Sequence, residues 1–444
     1  MNIRLSDHFT YQKLLQFTAP SIAMIIFISI YSTVDSLFVS NFVGPTAFAA
    51  IGVIFPFLMI LGAFGFMVGA GGNALVAKTL GEKKKREANE IFSLIVYSTF
   101  VIGSLFALAG LVLLKPIISF LGVEGSTLTQ NCLTYAYILI PGTPIVMFQF
   151  LFHSLFVTAE RPKLGLLFAI LAGTTNIALD AVFILGCQWG IAGAAWATII
   201  SQAVGGLGPV LYFVFPNKSP LRLGKTKLYF SALVKTYTNG MSEFFSHISA
   251  SFIVTLYNYQ LLKLMGESGV VAFGVISHVN FIFLAIFLGY SSGSAPIVSY
   301  HYGARNHTEL KNLFAKSMKM IACAGLCLFL VAESSARLLA DVFVSYDPQL
   351  LGTATHAFRI YALSFIVAGF NIYASAFFTA LNNGVVSAII SVSRLFVFKC
   401  LSILILPIFW GVTGVWCASI VAESLALLVS LYYFNSLKEK YKYI

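Results

Sequence analysis

One acidic side chain lies inside the first long apolar stretch of the chain. Residues 18–44 are long enough to cross a bilayer, and Asp35 is the only charged residue among them. A carboxylate at membrane depth is energetically costly, and such residues commonly serve an ion site, a proton relay or a transport pathway. The alternative is an aspartate near a helix end that reaches interfacial water. We favour the functional role because Asp35 lies roughly one to two turns inside the apparent helix end at residues 40–41.

Polar side chains in two later apolar segments match Asp35 in depth. Asn176 and Asp180 are four residues apart, so they lie on one face of the fifth segment. At 1.5 Å per residue, Asp35 and Asp180 lie on the order of 8–9 Å below the same membrane boundary, and Thr198 of the sixth segment lies about 12 Å below it. These hard oxygen donors suit Na⁺ or a shared proton. We therefore predict a cation or proton site at Asp35, Asn176, Asp180 and Thr198, the alternative being a cluster that only aligns helices.

Composition places these residues in an integral membrane protein. The 444-residue chain is 59% hydrophobic and 10% charged, whereas soluble domains carry about 25% charged residues. Twelve segments are long enough to span a bilayer. They are approximately 14–40, 47–77, 91–114, 131–158, 164–186, 190–214, 238–262, 270–300, 316–338, 352–380, 384–408 and 412–436. The sequence therefore predicts an all-α polytopic membrane protein with no soluble domain.

The basic residues indicate membrane orientation and not a nucleic-acid partner. Most of the 27 Lys and Arg residues fall in segments on one side, including residues 83–86 and 218–235. The positive-inside rule then places both termini in the cytoplasm. The polar residues 1–13 and the long apolar segment after them do not match a cleavable signal peptide. We expect a multi-pass protein of the inner (cell) membrane, in contact with lipid.

The second half of the chain repeats the first. At an offset of 222 residues, Gly44 to Phe92 aligns without a gap with Gly266 to Phe314, and later the offset becomes 221. We therefore predict two homologous, parallel six-helix lobes, residues 1–220 and 221–444, joined by a polar link at about 215–235. Two lobes that can rock against each other favour a transporter with alternating access over a receptor.

The acids of the first lobe are absent from the equivalent positions of the second. Asp35, Asn176 and Asp180 align with Tyr257, Val397 and Leu401. Because the repeated fold does not need these acids, their asymmetry favours a function for them. The second lobe has its own candidate polar sites, which are Glu243 at the expected start of the seventh helix, Asn371, Arg394 and Glu423.

Arg394 and Glu423 could form an intramembrane ion pair with either a structural or a gating role. We expect Lys399 to extend toward an interface. The mid-helix histidines His153 and His247 are expected to be structural. The six cysteines lie in or near apolar segments without a histidine cluster, so we expect no metal cofactor and no cofactor beyond a coupling ion.

Taken together, these features resemble the multidrug and toxic compound extrusion (MATE) transporters. The resemblance rests on the two six-helix lobes, Pro20 and the late Asp35 of the first helix, the glycine-rich end of the second helix, and the run from Asn176 to Asp180. It implies a cation site at Asp35, Asn176, Asp180 and Thr198, and a first helix that bends at Pro20. One departure is Asn371, which stands where some members carry an acid. That departure shifts the expected ion site to the first lobe, since Glu243 lies early in its helix.

We therefore predict a monomeric secondary active antiporter, not an enzyme, that exports amphipathic, often cationic compounds in exchange for Na⁺ or H⁺. One alternative is a flippase for lipid-linked oligosaccharides of the same superfamily. An anionic substrate would need a basic cavity, and only Arg359, Arg394 and Lys399 are available. A remote alternative is an intramembrane aspartyl protease with Asp35 and Asp180 as its dyad. Neither aspartate has an adjacent glycine, and twelve helices exceed what that reaction needs.

Overall fold

The computed structural model describes residues 3–120, 127–344 and 347–444, and all regular secondary structure in these ranges is helical. The α-helices are α1 Tyr11–Phe38, α2 Pro45–Gly81, α3 Lys85–Phe120, α4 Thr127–Leu139, α5 Thr143–Thr158, α6 Pro162–Asp180, α7 Gly190–Val214, α8 Phe230–Met265, α9 Glu267–Gly303, α10 His307–Val344, α11 Pro348–Ala362, α12 Phe365–Ala380, α13 Gly384–Val392, α14 Lys399–Ser436 and α15 Lys438–Tyr441. We call α1–α7 the first lobe and α8–α15 the second lobe.

These helices combine into twelve spans within the described residues. Helices α4 and α5 form one span, and α11 and α12 form another that bends by 50°. Helix α13 continues into α14, which breaks at Gly411 with φ +54°, a conformation that glycine adopts without strain. The two parts of α14 therefore belong to the eleventh and twelfth spans. Every predicted segment falls within one of these spans.

The helices extend beyond the predicted segments because helical hydrogen bonding continues past the last apolar residue. The largest difference is in α8, which begins at Phe230 and not near residue 238. The link between the lobes is correspondingly shorter than predicted and runs from about 215 to 229.

An even number of spans places both termini on one face, which we call the termini face; the opposite face is the far face. Near the far face each lobe has its own core, one formed by residues 38–199 and the other by residues 253–418. Near the termini face the cores are shared, because residues 3–22 pack against the second lobe and residues 229–244 pack against the first. The lobes are therefore joined at the termini face and separate toward the far face.

Glycine residues allow the closest approach of the two lobes. A Cβ atom on Gly81 would lie 2.0 Å from the Tyr300 carbonyl oxygen, and one on Gly303 would lie 2.1 Å from the Lys78 carbonyl oxygen. The 222-residue offset exchanges these two contacts, so this part of the interface has the symmetry of the repeat. Gly52, near the far face, has open space around it.

Two segments cross between the lobes on the termini face. The segment before α1 reaches α10, where the Phe9 amide donates to Glu309 over 2.9 Å and His8 Nδ1 lies 2.6 Å from the same carboxylate. The segment before α8 reaches α3, where the Tyr229 hydroxyl donates to Glu90 over 2.5 Å. Both segments hold the termini side of the molecule closed.

Candidate cation site in the first lobe

Asp35 and Asp180 each lie just before a π-helical turn. Helix α1 passes into such a turn at Val39–Val43, one turn after Asp35. Helix α6 ends at Asp180 and continues as a π-helical turn at Ala181–Gly186. The two π-helical turns contact each other. Such wide turns recur at functional sites because they re-aim side chains within a helix.

Gly173 brings the helices that carry the two aspartates together. It lies on α6 two turns before Asp180, and a Cβ atom there would be 2.6 Å from the Phe27 ring and 2.8 Å from the Tyr31 ring of α1. Tyr31 is one turn before Asp35. A glycine at this crossing therefore leaves room for the two rings between α1 and α6, the helices that carry the two carboxyl groups.

The carboxyl groups of Asp35 and Asp180 lie within hydrogen-bonding reach of each other. Asp180 is fully buried, and neither of its carboxylate oxygens accepts a hydrogen bond from any described residue. No ion pair in the described part of the chain involves either aspartate. Two adjacent carboxylates cannot both stay charged in a low-dielectric interior without compensation. The arrangement therefore suits a shared proton or a cation held between them.

The other two predicted ligands lie on the same helices or beside them. Asn176 is buried one turn before Asp180 on α6. Thr198 of α7 is half-buried, and its hydroxyl donates to the Ala194 carbonyl over 2.9 Å. Helix α6 packs on both α1 and α7. The structure thus places all four predicted residues on α1, α6 and α7 of the first lobe.

Two further polar residues of this region were missed in the sequence. The Tyr135 side chain of α4 lies near the Thr198 hydroxyl and near both aspartates. Gln202, one turn beyond Thr198, has a buried Oε1 atom without a partner among the described residues. Counting depth from the start of α4 at Thr127 puts Tyr135 about 12 Å below the far boundary, the same depth as Thr198. The predicted segment begins at residue 131 and gives a depth of about 6 Å, so the count from the sequence misses Tyr135.

An aromatic stack lies where the lobes meet. The Phe66 ring of α2 stacks on Phe150 of α5, with centroids 3.9 Å apart, and on His247 of α8, with centroids 4.0 Å apart. Helices α2 and α8 belong to different lobes, so the stack joins them. All three rings are partly exposed.

Comparison with known sequences assigns the family. The sequence model of the MatE family matches the chain twice, at residues 20–182 and 243–404. The chain belongs to the MatE family. MATE proteins are multidrug efflux transporters.

Relatives of this MATE transporter share its full length. The multidrug export protein MepA of Staphylococcus haemolyticus is 22% identical over 431 residues, covering 97% of this chain and 94% of the relative. MepA of Staphylococcus aureus strain MRSA252 is 20% identical over 439 residues, with the same coverage of both chains.

Solved structures share the fold. A multidrug resistance MATE family transporter in an outward-facing conformation superposes with a TM-score of 0.92 at 21% identity, covering 98% of both chains. A MATE structure in the straight conformation gives 0.91 at 20% identity, also covering 98% of both chains. The predicted all-α fold of twelve helices in two six-helix lobes is confirmed.

The second lobe of this MATE transporter holds a closed polar network. Arg394 Nε lies 2.9 and 3.0 Å from the two carboxylate oxygens of Glu423. Asn371 donates to the same carboxylate over 2.9 Å, and Ser430 donates to Asn371 over 2.9 Å. The ion pair considered from the sequence is therefore present, and every charge in it has a partner. Its role, structural or gating, stays a prediction.

Two expectations about the second lobe were wrong. Glu243 does not begin its helix, because α8 starts at Phe230 and places Glu243 roughly three and a half turns inside it. Lys399 does not extend to an interface. It is 6% exposed, and its ammonium group donates to the Ser419 hydroxyl over 2.6 Å. The Ser419 hydroxyl inside the lobe accepts a hydrogen bond from the ammonium group, which was expected to be solvated by interfacial water.

Proposed function

We propose that this MATE transporter is a secondary active antiporter that exports amphipathic, often cationic compounds in exchange for Na⁺ or H⁺. The observation that carries the proposal is the contact between the Asp35 and Asp180 carboxyl groups, with no cationic side chain paired to either within the described residues. A mobile cation or proton supplies the missing compensation. The first lobe's interior is then more stable with the ion bound than without it. A coupled transporter needs such a difference in free energy between its ion-bound and ion-free states.

The distribution of basic residues supports a membrane orientation, and the packing of the lobes supports a conformational state. The termini face carries most of the basic residues, so we place it in the cytoplasm of the cell. The shared cores and the Gly81 and Gly303 contacts then close the cytoplasmic side, while the lobes part toward the outside. This is the arrangement of an outward-facing transporter. Opening the symmetric glycine contacts and closing the far side would complete alternating access.

Helix α1 links the ion site to the interface between the lobes. Near its start, Ser21 and Ile22 pack against Gly289 and Gly293 of α9. Asp35 lies near its other end. Pro20 stands at the α9 contact and, lacking an amide hydrogen, removes one helical hydrogen bond there. We propose that bending at this proline transmits the state of the ion site to the lobe interface.

The aromatic stack at the lobe interface supports the substrate class. Phe66, Phe150 and His247 are partly exposed at a position that both lobes share. Ring faces attract organic cations electrostatically and bury apolar surface without strict shape requirements. We therefore assign this stack to the binding of planar, amphipathic cations.

Ethidium efflux from reconstituted liposomes tests the proposal. A Na⁺ gradient and a pH gradient are imposed separately on wild type, Asp180→Asn and the control Asp347→Asn. Asp347 caps α11 through the amides of Gln349 and Leu350, and asparagine caps helices equally well.

We expect one gradient to drive efflux in wild type and in the control, and Asp180→Asn to lose it. The effective gradient identifies the ion. Full efflux by folded Asp180→Asn would contradict the assignment of the coupling site. No efflux by folded wild type under either gradient would contradict the antiport itself and favour the flippase.

A further inference from the structure

The second lobe contains a counterpart of the first lobe's cation site. At the 221-residue offset Thr198 aligns with Ser419, and each hydroxyl lies near a tyrosine from the fourth span of its lobe. In the first lobe the tyrosine is Tyr135, and in the second it is Tyr361. Asp35 aligns with Tyr257, whose buried hydroxyl has no partner among the described residues. The equivalent oxygen framework is therefore present in both lobes.

A cationic side chain lies inside this framework in the second lobe. Lys399 Nζ donates to Ser419 Oγ over 2.6 Å and lies 5.7 Å from the centroid of the Tyr361 ring. The side chain is 6% exposed. Glu423 attracts the ammonium group electrostatically, although its carboxylate is paired with Arg394. Hydroxyl oxygens, an aromatic face and a nearby carboxylate are the groups that bind a small cation.

The two lobes differ in the source of the positive charge at this site. There the framework surrounds two carboxyl groups and contains no ion-paired lysine or arginine among the described residues. In the second lobe the cation is covalently attached to the chain, and the residues aligned with the two aspartates are Tyr257 and Leu401. A tethered cation cannot leave during a transport cycle.

We propose that the Lys399 ammonium group permanently fills the second-lobe counterpart of the cation site, so that only the first lobe exchanges an ion. The statement about ion exchange during transport rests on the proposed function. The structural part of the proposal stands by itself: without the lysine, the space beside the Ser419 hydroxyl and the Tyr361 ring becomes a binding site for a small monovalent cation. The expected ligand class is a primary alkylammonium ion, because it reproduces the missing end of the lysine.

Chemical rescue of purified protein tests this site without any transport assay. Lys399→Ala removes a side-chain end that n-propylammonium reproduces. Unfolding temperatures in detergent are measured against n-propylammonium concentration for wild type, Lys399→Ala and Lys399→Met, which fills the space without charge. We expect a saturable rise of about 2–4 °C in Lys399→Ala and no specific rise in the other two proteins.

A double variant tests this proposal independently of the proposed function. Asp180→Asn combined with Lys399→Ala should show the same rise, because the rescued site is in the second lobe. A rise that disappears in this background would place the ligand in the first lobe and overturn the proposal. So would equal shifts in all proteins, or no shift in folded Lys399→Ala. If Lys399→Ala does not fold, Lys399→Ser provides the same cavity with a smaller loss of polarity, and the same criteria apply.

Discussion

The two lobes have the same backbone plan but opposite electrostatics at equivalent positions. At the 221-residue offset Gly173 aligns with Arg394, and Gln202 aligns with Glu423. The glycine leaves room for two rings between α1 and α6, the helices that carry the two carboxyl groups, whereas the arginine forms a buried ion pair with the glutamate. The first lobe is left with uncompensated acid, whereas Glu423 of the second lobe is paired with Arg394.

This difference distinguishes the residues that build the repeated fold from the residues that bind the coupling ion. One pair of glycine contacts between the lobes is preserved in both copies, since the Gly81 and Gly303 contacts exchange under the repeat. The charged residues are not preserved. We infer that the duplicated scaffold supplies the rocking movement, and that the charge needed for coupling is confined to one copy.

The largest effect is expected from breaking the ion pair of the second lobe. Arg394→Met leaves Glu423 buried and unpaired, which should lower stability by about 3–5 kcal/mol. The double variant Arg394→Met with Glu423→Leu should recover only part of this loss, because the buried Lys399 ammonium group then lacks its nearby carboxylate. Thermal unfolding of the purified proteins measures both values. A double variant as unstable as the single one would show that the pair does more than neutralise charge.

A smaller and equal effect is expected at the two symmetric interlobe contacts. Gly81→Ala and Gly303→Ala each place a methyl group about 2 Å from a carbonyl oxygen of the other lobe. Both should open the termini side and reduce ethidium efflux by roughly tenfold, since clashes of this kind cost about 1–3 kcal/mol. Gly52→Ala, with open space around it, is the matched control. Unequal effects of the two variants would show that the lobes differ in these backbone contacts as well as in their charged residues.

Gly173→Ala should weaken the ion site without unfolding the protein. The added methyl group pushes α1 away from α6 and separates Asp35 from Asp180. We expect the ion concentration for half-maximal efflux to rise by roughly tenfold, equivalent to about 1.4 kcal/mol. Maximal efflux at saturating ion should change little. A loss of maximal efflux with unchanged ion dependence would mean that the crossing positions something other than the carboxylates.

The smallest effect has the opposite sign to that of the ion pair. Asp180→Asn removes one of two adjacent acids, so without coupling ion it should stabilise the protein by about 1 kcal/mol or leave it unchanged. Thermal unfolding at low Na⁺ and alkaline pH measures this. A destabilisation comparable to that of Arg394→Met would show that Asp180 has a protein partner and would remove the contrast between the lobes.

Much of the fold and part of the site could be predicted from the sequence. Apolar segments of spanning length and the 222-residue repeat are one-dimensional signals, so twelve helices in two lobes followed from them. Depth along a helix is also one-dimensional, which is why Asp35, Asp180 and Thr198 could be placed at one level. The structure adds that the two carboxyl groups are in contact.

The missed features depend on neighbours that are distant in sequence. Lys399 was expected at an interface, since nothing in the sequence shows that Ser419 of the next span lies beside its ammonium group. The start of α8 was placed too late because charged residues such as Lys235 interrupt the apolar run without interrupting helical hydrogen bonding. The role of Gly173 emerges only from the crossing of α1 and α6.

The central claim is that one exchangeable ion, held at Asp35 and Asp180, competes with substrate. The most direct measurement is the affinity of purified wild type and Asp180→Asn for ethidium, followed by fluorescence while Na⁺ and pH are varied separately. Because coupling is reciprocal, ion and ethidium must weaken each other's binding by the same factor. We expect ethidium affinity in wild type to fall at least tenfold as the coupling ion saturates, and to be independent of that ion in Asp180→Asn. An Asp180→Asn protein whose ethidium affinity keeps the wild-type ion dependence would contradict the claim.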